Sequence, residues 1–426
     1  MRVLILSTTT GYQLRAFNDA AERLGIELAF ATDRCQNLQD PWRDRAIPVR
    51  FYDEDASVRA IVEGAEKMPI DGVIAVGDRP TVLAALAARA LGLRGNTPEA
   101  ARASSNKLLM RQALDRAGLP CPWFFDVDAG IGLQQAMARA AYPCVVKPLA
   151  MAASRGVMRA DGPDDLAIAF KRLQALLSRR DVQVQRNAAH DRVLVEGYIP
   201  GDELAIEAVL EDGALHVLAI FEKPDPLVGP FFEETIYITP PRVDPALQAL
   251  VGRAVASACR AIGLTDGPAH AEVRVAAPEA EHVYVIEVAA RPIGGLCARA
   301  LRFAASAGGG EIGLEELLLL HATGHSGIQY RRESRASGVM MIPVPRRGIF
   351  KRVERLDRAR AVPGVEDIVI TAKPDQRLVP LPEGSSYPGF IFARGDTPEV
   401  VERALRLAHA TLQWVVEREI EVRTES

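Results

Sequence analysis

His270-Ala-Glu272-Val-Arg274 and, one charged turn later, Val283-Tyr-Val-Ile-Glu287-Val-Ala-Ala-Arg291 are the stretches best supplied with chemistry in this chain. Each half reads as a strand in which β-branched residues surround a single carboxylate. The polar, proline-marked run from Pro278 to His282 reads as their hairpin connection. Pairing the strands brings Glu272 and Glu287 together, and neighbouring carboxylates repel unless they share a proton or a cation. One oxygen from each is what a Mg²⁺ bound to substrate phosphates usually takes from its protein. Arg291, four residues beyond Glu287, adds a planar cation beside the same point. Taken alone, the stretch also reads as a surface hairpin with scattered charges.

Other elements carry residues that could face the same anion. Tyr142-Pro-Cys-Val-Val-Lys147-Pro148 is a strand with one lysine in an apolar run, and such a lysine needs an anion or a route to water. The small residues from Ala150 to Gly156, Ser154 among them, suit a flap whose backbone N–H groups approach phosphate. Ser104 and Ser105 can cap a helix that ends at Gly118. That places Asn106-Lys107 in its first turn, where a lysine runs against the helix dipole unless it is held for an anionic ligand. Arg192 to Leu210 reads as strand, turn and strand, with Glu196 and Glu203 flanking Gly201. Those carboxylates are either acceptors for a nucleotide's amino and hydroxyl groups or solvated charges on an antiparallel pair. The proline-rich segment from Phe221 to Thr235 reads as a lid or substrate wall, with Glu233 or Glu234 as candidates to hold a substrate ammonium. His321 and His325 have metal-ligand spacing, yet Gly324 interrupts them and no carboxylate motif accompanies them, so the pair reads as chance.

The 426 residues suggest two or three domains, and 48% hydrophobic with 25% charged residues is an ordinary soluble composition. A net charge of −4 without long basic runs argues against nucleic acid or a membrane surface as partner. Five cysteines without a CxxC pair fit free thiols in a reducing compartment, and the expectation is a cytoplasmic protein. Up to about residue 100, strands at Val3–Leu6, Ile26–Ala31 and Val73–Val76 alternate with helical patterns, as in a parallel sheet wrapped by helices. No GxGxxG follows the first strand and no glycine precedes a lysine, which argues against dinucleotide and P-loop sites. Gly77-Asp78-Arg79 stands at the carboxyl end of a strand, where open sheets bind ligands, although a plain turn is the better reading of it. From about Arg331 the chain reads as a third, compact unit. Its strands fall at 337–343, 366–372 and 389–392, and a helix capped by Thr397 runs to about Arg418.

The order of these signals resembles the ATP-grasp superfamily, in which two α+β subdomains hold ATP between them. The surroundings of His270-Ala-Glu272 and of Arg291-Pro-Ile-Gly-Gly295, and the run Pro343–Phe350, are most similar to carboxylate–amine ligases typified by L-amino-acid ligases. The resemblance implies a mixed α/β and α+β fold. A parallel-sheet α/β domain would span 1–100, the ATP-grasp domain 101–330 and a small α+β domain 331–426. It implies ATP and Mg²⁺, with Mn²⁺ as an alternative. Lys107 and Lys147 would meet the phosphates, Glu196 and the backbone near Tyr198 adenine, and Glu203 the ribose. Ser154 would belong to the phosphate flap, Glu272 and Glu287 would hold the metal, and Arg291 would bind the transferring phosphoryl group. The family's usual asparagine, two residues after the second carboxylate, is replaced by Ala289. The implied reaction joins a small carboxylic acid and an amine through an acyl phosphate. A carboxylase or phosphotransferase of the same fold, or an inactive nucleotide-binding protein, are the alternatives; homodimers are common among such folds.

Overall fold

The computed structural model describes residues 1–8, 12–33, 46–276, 283–305, 310–326 and 329–419. The connection expected at Pro278–His282 lies outside them. At the amino end, four parallel strands stand in the order Ala46–Pro48, Glu27–Thr32, Arg2–Ser7, Gly72–Val76. Val3, Leu4, Ile5 and Leu6 are fully buried, as a run of apolar residues in a sheet covered on both faces must be. Val3 and Ile5 share a core with Phe221 and Tyr237, so this domain is packed against the central sheet rather than tethered beside it. That packing carries Asp78, just past the carboxyl end of Gly72–Val76, into the middle of the molecule.

Two antiparallel sheets build the centre. The smaller runs Phe124–Asp128, Arg192–Gly197, Cys144–Pro148, Met158–Ala160. The larger has eight strands, in the order Val283–Ala289, Gly267–Val275, Asp202–Glu211, Ala214–Glu222, Ile236–Thr239, Ala336–Met341, Gly389–Gly395, Val365–Ile370. Arg192–Gly197 and Asp202–Glu211 therefore belong to different sheets, and the antiparallel pairing considered for them does not form. Residues 198–201 instead bridge the sheets. Gly201 holds φ at +115°, and a Cβ there would run into the Val275 carbonyl oxygen. Gly201→Ala is accordingly expected to lower the stability by about 2 kcal/mol or more, read from the urea midpoint. An unchanged midpoint would show that the crossover is free to move.

Three further elements depart from the sequence reading. Ser104 and Ser105 do not cap the helix Lys107–Arg116. They end the preceding helix Pro98–Ser105, with both hydroxyls donating back to the Ala101 carbonyl, and the Asn106 side chain caps by accepting from the N–H groups of Leu108 and Leu109. The terminal helix stops at Thr411, after which Gln413–Glu417 is a strand. Its Trp414 and its valines favour extended structure, and Trp414 packs on Phe350 of the neighbouring strand Gly348–Glu354. Finally, the carboxyl-terminal strands are divided: Arg377–Leu378, Gly348–Glu354 and Gln413–Glu417 form a small sheet of their own, while Ala336–Met341, Gly389–Gly395 and Val365–Ile370 join the central one. Ala336–Met341 pairs with Ile236–Thr239, so the last unit extends the central sheet and brings its loops to the same cleft.

Candidate active site

The cleft between the two central sheets holds a cavity of about 330 Å³. Alternation along Gly267–Val275 turns His270, Glu272 and Arg274 into it, while Ala271 and Val273 face the core under helix Pro245–Ile262. Glu272 stands directly opposite Glu287 in the ladder. A bulge follows, since Val273 pairs with Val285, and both Ile286 and Glu287 line the cavity. Lys147 reaches the cavity from Cys144–Pro148 on the face it shares with Val145. Lys107 comes from the first turn of its helix, and Arg291 from the segment after Val283–Ala289. Ser154 lines the cavity from the flap, where Ala153, Ser154 and Gly156 all hold positive φ. The flap is pinned to the carboxyl-terminal unit. The Gly156 N–H donates to the Pro382 carbonyl at 2.9 Å, and Arg155 Nε donates to the Glu383 carbonyl at 3.1 Å.

Each expected cation has a carboxylate partner of its own. Lys107 Nζ is 3.1 Å from Glu287 Oε2 and donates to the Met151 carbonyl. Arg291 forms a two-pronged pair with Asp78, Nε to Oδ1 at 2.7 Å and Nη2 to Oδ2 at 3.3 Å. Lys147 Nζ lies 2.5 Å from Glu196 Oε1. Arg111 Nε lies 2.8 Å from Glu196 Oε2, and its other nitrogens donate to the carbonyls of Val285 and Ile286. Glu196 thus accepts from two cations, both Arg111 and Lys147. The Tyr198 N–H donates to the Pro143 carbonyl. Glu203, read as the ribose acceptor, is held by Lys223 at 2.6 Å and Arg274 at 2.9 Å.

Burial makes these pairs matter. Desolvation pulls Lys147 down to about 8, against the pull of Glu196. Burial raises the Glu196 carboxyl, but Arg111 and Lys147 outweigh it and bring it to about 2. Lys223, 3% exposed, is the hub of a second cluster, touching Glu203 and Glu234 and lying 3.6 Å from Glu272. Burial pushes the Glu272 carboxyl well above its ordinary range; Lys223 opposes this, and Glu234, Glu203 and Glu287 add to it. Burial also acts to raise Glu234, but Lys223 overcomes it and holds that carboxyl low. Oxygens of Glu203, Glu234 and Glu272 lie within 4.8 Å of one another. His270 Nδ1 is 3.0 Å from Glu207, which also accepts from the Ile293 N–H. Ala289, buried, stands across the ladder from His270.

Arg111, Lys223 and the Asp78 contact escaped the sequence reading. Lys223 did carry a signal, as a lysine at the end of an apolar strand, whereas nothing in the amphipathic helix around Arg111 marks its role. Ser385, Ser386 and Tyr387 line the cavity from a unit that shows no catalytic set in sequence. His321 and His325 share no site: His321 lies 3.5 Å from Asp266 and 3.6 Å from Glu211, while His325 meets the Leu320 carbonyl.

Comparison with known proteins agrees with this architecture. Residues 140–300 match the ATP-grasp domain, 18–95 the ATP-grasp N-terminal domain and 340–417 the L-amino acid ligase C-terminal domain 2. The chain thus carries the ATP-grasp domain with its N-terminal domain, and the terminal domain found in L-amino acid ligases. The L-amino acid ligase from Bacillus licheniformis superposes with a TM-score of 0.81 at 27% identity, over 98% of this chain and 99% of that one. The alanine–anticapsin ligase of Bacillus subtilis is 27% identical over 235 residues, 52% of this chain, and the match spans about half (49%) of that relative's length. An uncharacterised protein of Sinorhizobium fredii is 24% identical over 97% of this chain and 83% of its own. A carboxyaminoimidazole ribonucleotide synthase from Aspergillus clavatus, solved with ATP, shares the fold at a TM-score of 0.71 and 17% identity, over 96% of this chain and 97% of that one. Among the described residues no helix is long and apolar enough to cross a membrane.

Proposed function

We propose that the chain joins a small carboxylic acid, an amino acid or a relative of one, to an amine through an acyl phosphate made from ATP. The observation that carries this reading is the meeting, in one cleft, of Glu272 and Glu287 with Lys107, Lys147 and Arg291. The apolar end of the cavity, with Val145, Ile199, Leu227 and Ile286, suits a purine ring. Lys147 and Lys107 exchange their carboxylates for phosphate oxygens when the nucleotide enters. The substrate carboxylate attacks the γ-phosphorus, ADP departs, and Arg291 holds the phosphoryl oxygens. The amine, as its free base, then forms the C–N bond as the C–O bond breaks, and phosphate leaves. Phosphorylation is needed because a carboxylate has no leaving group other than oxide. Most of the protein's work is therefore alignment and neutralisation of charge.

Glu272 and Glu287 suit a hard divalent cation: both offer oxygens only, and Glu272 sits in an acidic cluster where, among the described residues, no cation lies closer than Lys223 at 3.6 Å. When bound there, Mg²⁺ supplies positive charge to the phosphates. The flap at 150–156 and the loop after Glu222 screen the acyl phosphate from water.

An ADP-release screen over pairs of amino acids, with mass spectrometry of the products, tests the reading. ADP formed without any amide product would favour a phosphotransferase instead. The pH profile supplies a second check. Lys147 must be charged to hold phosphate, so kcat/KM for ATP is expected to fall as pH rises through about 8. Lys147→Arg keeps its charge and is expected to move that limb upward. A profile flat to about pH 9.5 would contradict the role given to Lys147.

A further inference from the structure

We propose that Glu383, in the carboxyl-terminal unit, is a positioning residue: it latches the flap at 150–156 over the nucleotide and so sets how long nucleotide and acyl phosphate stay enclosed. Enclosure of the acyl phosphate rests on the ligase reading; the latch on the nucleotide does not. The flap needs holding. Ala153 and Ser154 keep φ at +54° and +53°, a region that residues with a Cβ leave unless their surroundings fix them there. On its inner side the flap is tied through the Met151 carbonyl, which accepts from Lys107. On its outer side the Gly156 N–H and Arg155 Nε donate to two successive carbonyls of the carboxyl-terminal unit, Pro382 and Glu383.

The Glu383 side chain extends the grip. Its Oε1 accepts from Nε and Nη2 of Arg172, at 3.0 and 2.7 Å, on helix Pro163–Leu177, which packs against the smaller central sheet. The same guanidinium lies 5.0 Å from the Phe231 ring centroid, in the proline-rich loop. From within the carboxyl-terminal unit, Arg347 Nη2 reaches Oε2 at 3.5 Å. The loop that carries Glu383 is stiff. The Gly384 N–H bonds back to the Pro380 carbonyl, and a Cβ on Gly384 would lie 1.8 Å from the Val379 carbonyl oxygen. Farther on, Tyr387 packs on the buried Phe390, and its carbonyl accepts from Thr371. Ser385, Ser386 and Tyr387 wall the cavity itself. One fixed loop thus lines the site and grips both of its covers. Arg172 is 39% exposed and Glu383 22%, so water and salt reach the pair, as suits a contact that must open and close.

Stopped-flow release of N-methylanthraniloyl-ADP with Mg²⁺ present tests the latch without reference to the substrates. Glu383→Gln is expected to speed release about fivefold at low salt, and Arg172→Gln to do the same. The double variant should release no faster than either, because the two side chains make one interaction. Added salt should speed release more in the wild type than in Glu383→Gln, which has no pair left to screen. Thermal unfolding without nucleotide identifies the folded variants, and Arg172→Gln carries the test if Glu383→Gln does not fold. Release unchanged in the variants, effects that simply multiply, or an equal response to salt would overturn the proposal. Hydroxylamine and a panel of L-amino acids supply the second readout. In Glu383→Gln water attacks the acyl carbon, phosphate leaves and the acid returns, so ADP formed per hydroxamate is expected to rise. An unchanged ratio would overturn the screening of the acyl phosphate. No hydroxamate from any acid would remove the ligase reading, whereas faster nucleotide release in Glu383→Gln would still establish the latch.

Discussion

Glu287→Ala is expected to reduce ADP release by roughly 100-fold to 1000-fold or more, the loss seen when one well-placed electrostatic group is removed from a reacting centre. Its fold should survive. Glu287 lies on Val283–Ala289, the outermost strand of the central sheet, and its side chain is 25% exposed, so little packing depends on it. What the change removes is one of two oxygen-donor side chains set face to face in the ladder, together with the partner that steadies Lys107. A coupled ADP assay beside a thermal unfolding curve distinguishes the outcomes. Wild-type turnover would contradict the metal assignment. A collapsed unfolding temperature would instead make the Glu287–Lys107 pair structural.

Arg111→Met should act mainly on stability. The guanidinium is fully buried, holds Glu196 through two nitrogens and satisfies the carbonyls of Val285 and Ile286. Removing one partner of such a pair leaves a buried carboxylate compensated only by Lys147, and the loss is expected to be about 3–5 kcal/mol. Because Glu196 is held at about 2 when folded, against an ordinary value near 4.5, its contribution is full above the ordinary value and lost as pH falls through about 2. The variant should therefore show a weaker acid dependence of unfolding than the wild type. Adding Glu196→Gln to Arg111→Met should recover part of the loss, since the uncompensated charge is gone. Strictly additive effects in urea unfolding would mean that the two side chains are not coupled.

Much of the fold was legible because strand and helix periodicities are local properties of the chain. The alternation of His270, Glu272 and Arg274 turns one set of side chains to one face whatever the rest of the molecule does. The pairing of Glu272 with Glu287 needed only a short connection. Boundaries failed where two local signals competed. Asn106 out-competed Ser104 and Ser105 as a cap, and the valines after Thr411 took an extended partner rather than continue the helix.

By itself, then, the sequence determined many of the strands, the order of their charged residues and the likeness to a ligase family. Only the tertiary structure decided which charge neutralises which. Arg111 meets Glu196 across 85 positions and Arg291 meets Asp78 across 213. The strand order that brings them together comes from burying several apolar faces at once. A buried ion acquires its partner from that packing, because outside water it has no other way to be solvated.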